Sequence, residues 1–257
     1  MKTKLLLIAL LMACITITGW SQNASKPAKK IDKSFSFDNN KELYLYLRFA
    51  RNIKIKTSND NKVQVKVSVD INGGKDNDKY TITGEQMSDR YEIRSRIKDF
   101  SKITKTMVVF NGDNDTYFSY GNTSSFNDED GRYYVNGSFL LSSINYEITL
   151  PANTKNLRIK TISGNIEMTH PKDCKMNLRS VSGFIDVSMA SNQKADIETR
   201  SYNGDVFSDL AIKNPTPRDR SYRKIGGRAR IKGKLNGGGV KVYLKTFRGN
   251  IYLRKKK

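Results

Sequence analysis

A short segment recurs along the second half of the chain, and this recurrence constrains the fold more than any other feature. The segments LRIKTISGNIEM (157–168) and MNLRSVSGFIDV (176–187) carry apolar, hydroxyl and glycine residues at the same spacing. Aligned on the glycine, the sequence contains four copies, separated by 19, 21 and 45 residues. Their glycines are Gly164, Gly183, Gly204 and Gly249. The last spacing is close to two further repeats.

Apolar residues keep fixed distances from these glycines. The seventh and fifth positions before the glycine and the second position after it are apolar in every copy, except for Thr199. Because neighbouring side chains of a strand point to opposite faces, the pattern indicates one strand before the glycine and another after it. Glycine suits the corner between them, since it tolerates positive φ and leaves room for a neighbouring backbone.

The repeat also predicts how the units assemble. One strand–corner–strand unit cannot bury its own apolar face, whereas units stacked about 4.8 Å apart bury it and pair their backbones. A repeat of about 20 residues therefore predicts an all-β fold of the β-solenoid, or β-helix-like, type with the four glycines as structural corners. The alternative is a sandwich of hairpins, which does not explain why one residue class recurs at one offset from the glycine.

The rest of the chain favours strands as well. Alternating runs such as NIKIKTSNDNKVQVKVSVDI occur before the repeats, and no segment shows a sustained 3.6-residue apolar period. We therefore predict a single all-β domain over 41–257, with irregular strands in 41–150, regular repeats in 151–253 and a basic insertion at 211–240. The polar, lysine-rich segment 22–40 is predicted to be a linker.

The N-terminus predicts export. Lys2 and Lys4 precede an apolar run from Leu5 to Ile17, followed by small residues, which is the pattern of a secretory signal peptide over 1–21. Cys14, in LMAC, offers a lipoprotein anchor as the alternative. Either route leads to the periplasm, the outer membrane or the cell surface.

A basic residue stands four positions before each glycine, and a hydroxyl residue follows it directly. The basic residues are Lys160, Arg179, Arg200 and Lys245, and the hydroxyl residues are Thr161, Ser180, Ser201 and Thr246. Stacking would form a basic column, a candidate anion-binding site, beside a hydroxyl column on the outer surface. A solvated surface, and hydroxyls that bond corner backbone groups, are the alternatives. Lys56 and Thr57 offer a degenerate further copy.

The charge of the chain bears on its partners. The formal net charge is +21, and residues 211–257 carry 16 Lys or Arg against Asp219 alone. Such a field attracts an acidic glycan or an anionic lipid surface, whereas export argues against intracellular nucleic acid. Another envelope protein is the remaining candidate partner.

A polar segment interrupts the strand pattern at residues 111–131. It carries four aromatic residues between acidic clusters, Tyr117, Phe118, Tyr120 and Phe126. The segment is interpreted either as a surface insertion or as a candidate binding loop. A calcium loop is disfavoured, because the glycine and distal glutamate of an EF-hand loop are missing.

Nothing in the sequence indicates catalysis. His170 is the single histidine, and Cys174 is the single cysteine after the signal peptide. A catalytic triad would have to use His170, and no His/Cys cluster has metal-ligand spacing. We therefore expect a non-enzymatic protein without a cofactor.

The residues of the repeats resemble a known family. YEITLPANTKNLRIKTISGNIEM, SVSGFIDV and SYNGDVFSD are similar to the bacterial putative-adhesin family of exported β-solenoid domains, and the signal peptide resembles those of Bacteroidota envelope proteins. The resemblance covers about 144–210 and a last turn at 241–253. It implies an adhesin-like or scaffolding envelope protein and supplies no catalytic residues. A binding module for anionic polymers or membrane surfaces, acting through the basic C-terminal portion, is the alternative.

Overall fold

The computed structural model describes residues 26–103, 105–110, 117–127, 133–213, 222–225 and 228–256, with side chains in 26–103, 140–213 and 229–256. Within these residues the chain consists mainly of strands, which confirms the all-β prediction. Their helical content is a 3-10 turn at Asn77–Lys79 and a helical turn at Phe100–Ile103.

In the described ranges, twenty strands form two mixed sheets, each of ten strands. The strands of the first half are β1 (Lys29–Ser36), β2 (Glu42–Tyr46), β3 (Asn52–Ser58), β4 (Lys62–Ile71), β5 (Tyr80–Gln86), β6 (Arg90–Ile97), β7 (Lys105–Phe110), β8 (Tyr117–Asn127) and β9 (Tyr133–Pro151). Those of the second half are β10 (Asn156–Ser163), β11 (Asn165–Thr169), β12 (Lys175–Ser182), β13 (Ile185–Met189), β14 (Ala195–Asn203), β15 (Val206–Ser208), β16 (Ile212–Lys213), β17 (Tyr222–Ile225), β18 (Arg228–Leu235), β19 (Val240–Arg248) and β20 (Ile251–Lys255).

Each sheet combines parallel and antiparallel neighbours. Sheet A has the order β1-β4-β9-β3-β11-β13-β20-β15, and β7 and β8 also pair with β9. Sheet B has the order β16-β18-β14-β19-β12-β10-β2-β6-β5, and β17 also pairs with β18.

Five units give one strand to each sheet and stack in parallel. They are β2/β3, β10/β11, β12/β13, β19/β20 and β14/β15. The register is the one that the glycine alignment predicts, since Leu157 lies opposite Met176 and Met176 lies opposite Val242. Alternate residues are buried and join one core to which both sheets contribute.

The order of the units in space differs from their order in the sequence. The last unit, β19/β20, lies between β12/β13 and β14/β15. The spacing of 45 residues between Gly204 and Gly249 therefore does not correspond to two further repeats, as its length suggested. Instead β18 pairs antiparallel with β14, and β16 and β17 pair with β18. The basic insertion thus covers an edge of the parallel stack and satisfies backbone groups of β14.

Two segments predicted to lack regular structure form strands. Lys29–Ser36, within the predicted linker, is β1 and pairs antiparallel with β4, and its half-buried Ile31 and Phe35 pack against the core. Tyr117–Asn127, within the predicted loop, is β8 and pairs with β9. The proposed binding-loop residues therefore stand on a strand, and their side chains lie outside the described residues. These residues are Tyr117, Phe118, Tyr120 and Phe126.

The glycines lie at the corners of the stack. Gly183 and Gly249 have φ values of +136° and +132°, in the region that favours glycine. A Cβ atom at Gly183 would lie 2.5 Å from the carbonyl oxygen of Gly164, and a Cβ at Gly249 would meet the carbonyl group of Gly183. The corners therefore pack backbone against backbone, which no larger residue permits.

Candidate anion-binding face

The four basic residues of the predicted column lie side by side on sheet B. Lys160 on β10 lies opposite Arg179 on β12, and Arg179 lies opposite Lys245 on β19. Arg200 on β14 lies on the other side of Lys245. Neighbouring strands are about 4.8 Å apart, so the four residues repeat at that spacing on one face. We call these four residues the basic row.

The row continues beyond the glycine-marked strands. Arg230 on β18 lies opposite Arg200, while Tyr46 on β2 lies opposite Lys160 and is followed by Arg94 on β6. Seven neighbouring strands thus present six basic residues and one tyrosine. Arg94 and Arg230 were missed because their strands carry no aligned glycine, although the alternation in RYEIRSRI and RARIKGK was an available signal.

The carboxylates on this face lie towards its two ends. At one end, Glu198 accepts a hydrogen bond from Arg200 Nε at 2.8 Å and lies 3.4 Å from Nη2 of Arg230. This hydrogen bond to Glu198 raises the pKa of Arg200. At the other end, Arg94 forms an ion pair with the buried Glu92. These contacts offset part of the positive charge at the ends of the extended row.

The centre of the row is bordered by tyrosine rings. In the part of the chain with described side chains, no carboxylate lies within ion-pair distance of the three central cations. Each cation lies over a ring, which limits the positions of its long side chain. The cation-to-centroid distances are 5.6 Å for Lys160 over Tyr46, 5.4 Å for Arg179 over Tyr243 and 5.0 Å for Lys245 over Tyr202.

The hydroxyl column lies inside the protein, and the prediction that it faces outwards is wrong. Thr161, Ser180, Ser201 and Thr246 are all buried. Ser180 Oγ donates to the carbonyl oxygen of Gly164 at 3.1 Å, and Ser201 Oγ donates to that of Gly249 at 2.8 Å. Thr246 Oγ1 donates to Gly183 O at 3.0 Å. These three hydroxyls hydrogen-bond the corners of the neighbouring units, whereas Thr161 Oγ1 has no hydrogen-bond partner among the described residues. None of the four belongs to the binding face.

The proposed further copy at Lys56 and Thr57 is also wrong. Both residues lie on β3 in sheet A, where Lys56 pairs with Thr149 of β9. The unit that extends the stack on this side is β2/β3, and Ala50 lies beside Gly164 at its corner. Lys56 is therefore absent from the basic row.

Sheet A provides an internal comparison for the charge pattern. Its strands also carry an outward row in register, but positive and negative residues are mixed along it. In spatial order the row consists of Asp32, Lys66, Glu147, Lys54, Glu167, Asp186, Tyr252 and Phe207. Both sheets have the same strand geometry, so the single sign of charge is a property of the basic row and not of stacking itself.

The other candidate reactive groups are buried. Burial lowers the pKa of His170 to about 4 and raises the pKa of the Cys174 thiol to about 12, which keeps both neutral at pH 7. Among the described residues, no cluster of three or more His, Cys, Asp or Glu side chains could hold a metal ion. In the same residues, no helix has the length and apolar character needed to cross a membrane.

Comparisons with known proteins give two structural similarities. No family model matches the sequence, and no curated protein matches it. The chain is similar to a "putative cell adhesion protein" from Clostridium sporogenes, at 13% identity over 89% of this chain and 100% of that one, with a TM-score of 0.46. It is also similar to a "putative adhesin" from Bacteroides fragilis, at 11% identity over 89% and 97% of the two chains, with a TM-score of 0.28.

Proposed function

We propose that the chain is an exported, non-enzymatic protein of the cell envelope, adhesin-like in its action, that binds an acidic polymer on the outer face of sheet B. Its stacked units act as a short solenoid-like scaffold, and the signal-like N-terminus directs it out of the cytoplasm. An acidic glycan is the ligand class that fits both an exported protein and a basic face.

One observation carries the proposal: among the residues with described side chains, no carboxylate lies within ion-pair distance of Lys160, Arg179 or Lys245, the three central cations of the basic row. Unit charges about 4.8 Å apart repel each other by roughly 1 kcal/mol even at the dielectric constant of water. A polymer with regularly spaced negative groups would remove this repulsion for several neighbours at once. The mixed row on sheet A offers no such gain.

The scaffold keeps the charges in place before a ligand arrives. The strands that carry Lys160, Arg179 and Lys245 are hydrogen-bonded on both sides, and the tyrosine rings restrict the charged side chains. Binding therefore loses less side-chain entropy than it would on a flexible basic tail. This argument favours the face of sheet B over the C-terminal residues as the principal contact surface.

Two variants with the same net charge test the proposal on immobilised heparin, a sulfated glycan. In the first, Lys160, Arg179, Arg200 and Lys245 are replaced by Gln. In the second, four exposed lysines of sheet A are replaced by Gln, namely Lys54, Lys56, Lys62 and Lys66. We expect the first variant to elute at clearly lower salt than the wild type and the second to elute close to it, because salt screens charges that lie more than about a Debye length from the bound glycan.

The result that would overturn the proposal is an equal shift for the two variants, since binding would then follow net charge alone. Circular dichroism of both variants checks that their strands are intact. A second experiment measures the binding of the wild type and both variants to vesicles with and without phosphatidylserine. Row-dependent binding to the anionic vesicles without row-dependent binding to heparin would replace the acidic polymer by a lipid surface as ligand.

A further inference from the structure

A separate cavity opens at the end of the extended row, where β2 and β6 lie side by side. It has a volume of about 470 Å³, and Arg48, Arg94, Arg96 and Tyr46 are among its lining residues. Cavities of about 300–1,000 Å³ are the usual size of small-molecule sites. Its residues include none of the four that form the basic row.

Three guanidinium groups line this cavity. Arg48 and Arg96 are exposed, and no carboxylate among the described residues lies within ion-pair distance of either. Arg94 is paired with the buried Glu92, so the four groups together carry two net positive charges. Guanidinium groups bind carboxylates and sulfates through two parallel N–H donors, which gives direction as well as charge.

Aromatic rings form another part of the lining. Phe49 and Phe100 stack with their ring centroids 5.5 Å apart, and Tyr46 borders the same cavity. The Arg48 guanidinium lies 5.1 Å from the centre of the Phe49 ring, so a cation and an aromatic face adjoin each other. Phe49 itself is buried, so the rings that a ligand can contact are those of the half-buried Tyr46 and Phe100. A ligand that combines an oxyanion with the apolar C–H face of a ring would contact both the arginines and these rings.

A comparably large cavity on sheet A lacks this combination. It has a volume of about 430 Å³, and its lining includes Glu147, Glu167 and Asp186 together with Lys54 and Arg254. Charges of both signs meet there, and no aromatic ring lines it. The cavity between β2 and β6 therefore differs from it in both charge and surface.

We propose that this cavity binds a sugar ring that carries a carboxylate or sulfate, with the oxyanion held by Arg48 and Arg96 and the ring placed against the aromatic lining. The inference rests on the proposed function, because such a ring is the terminal residue of the acidic polymer that the basic row binds. At this end of the binding face, the cavity recognises the terminal sugar of the polymer. The row contacts the rest of the polymer through charge.

The test uses the full chain and three soluble probes: glucuronate, the neutral sugar glucose and inorganic sulfate. Titration calorimetry or NMR measures their affinities for the wild type and for an Arg48→Gln/Arg96→Gln variant. We expect glucuronate to bind the wild type more tightly than either other probe. The variant should lose at least about tenfold of this affinity, since hydrogen bonds to a charged group are removed. Both arginines are exposed, so the fold should survive their replacement.

The control is the variant in which the four residues of the basic row are Gln. It should keep the glucuronate affinity of the wild type while losing retention on heparin. Equal glucuronate affinity in the wild type and the Arg48/Arg96 variant would overturn the cavity proposal and leave the row proposal intact. Equal affinity for glucuronate and sulfate would overturn the role of the aromatic lining, and equal affinity for glucuronate and glucose would overturn the role of the arginines.

Discussion

The replacement Gly183→Ala tests the stacking of corners on which the binding face depends. At Gly183 two costs combine, because φ is +136° and an added Cβ would lie 2.5 Å from the Gly164 carbonyl oxygen. The neighbouring atom belongs to the backbone and cannot rotate away as the end of a side chain would. The strands joined at the corner would therefore have to shift, and the register of the row with them.

Gly237 provides a matched control for the size of the effect. Its φ is +86°, but a Cβ added there would meet nothing within 4 Å. Gly237→Ala should thus have only the conformational cost, about 1–3 kcal/mol of the free energy of unfolding. Gly183→Ala should have a similar cost plus about 1–3 kcal/mol for displaced packing, which gives a loss of roughly 2–6 kcal/mol.

Urea unfolding followed by circular dichroism measures both variants. The midpoint should fall further for Gly183→Ala than for Gly237→Ala, with the slope against urea unchanged if unfolding stays two-state. A loss at Gly183 no larger than the loss at Gly237 would refute the close approach of backbones at the corner. The in-register stack would then lack its main steric support.

Two further predictions concern the buried His170 and the tyrosine rings. Burial lowers the pKa of His170 to about 4, so protonation favours the unfolded chain and stability should fall as pH drops from about 6.5 to 4. A pKa shift of this size corresponds to about 3 kcal/mol of the free energy of unfolding. His170→Gln should remove that part of the pH dependence of urea unfolding. An unchanged pH dependence in this variant would contradict the lowered pKa of His170. Tyr243→Leu should weaken heparin binding a few-fold by releasing Arg179 and Arg200, whose guanidinium groups lie 5.4 and 6.0 Å from the Tyr243 ring centroid. Tyr252→Leu on sheet A, where Arg254 lies 4.9 Å from the ring centroid, is its control, and an equal effect of both would count against a positioning role.

The glycine alignment predicts the register of the stack because steric demand at the corner is local. At Gly183 the corner combines a positive φ with the close approach of the Gly164 backbone. Glycine is the residue that meets both conditions, so the corner can be recognised in the sequence. Ala50 lies beside Gly164 at the corner of the β2/β3 unit and leaves no comparable mark. The glycine alignment therefore missed that unit, on which Tyr46 lies, and the neighbouring strand β6, on which Arg94 lies.

The wrong orientation of the hydroxyl column has a different cause. The third residue before the glycine has the same parity as the fifth and seventh, so Thr246 faces inwards with Leu244 and Val242. Its polar character suggested an outward position, whereas its hydrogen bonds to Gly183 and Arg248 carbonyls make the burial favourable. The alternation of inward and outward positions along the strand predicts the orientation of these residues better than their polarity does.

The position of the last unit could not be read from the alignment at all. Sequence spacing gives the order of the copies along the chain, but the pairing of β18 with β14 decides where β19 can enter the sheet. That choice depends on contacts between segments far apart in the sequence. The basic row is nevertheless unbroken, because Lys245 carries the same sign as Arg179 and Arg200 on either side.

Chemical footprinting of lysines in the presence of heparin tests the central claim most directly, since it needs no substitution. Acetylation of each lysine is measured by mass spectrometry on the free and the heparin-bound protein. Lys160 and Lys245 on sheet B should become protected, while Lys54 and Lys62 on sheet A should react at the same rate in both. Protection of Lys54 and Lys62 with unchanged reaction at Lys160 and Lys245 would contradict the assignment of the binding face.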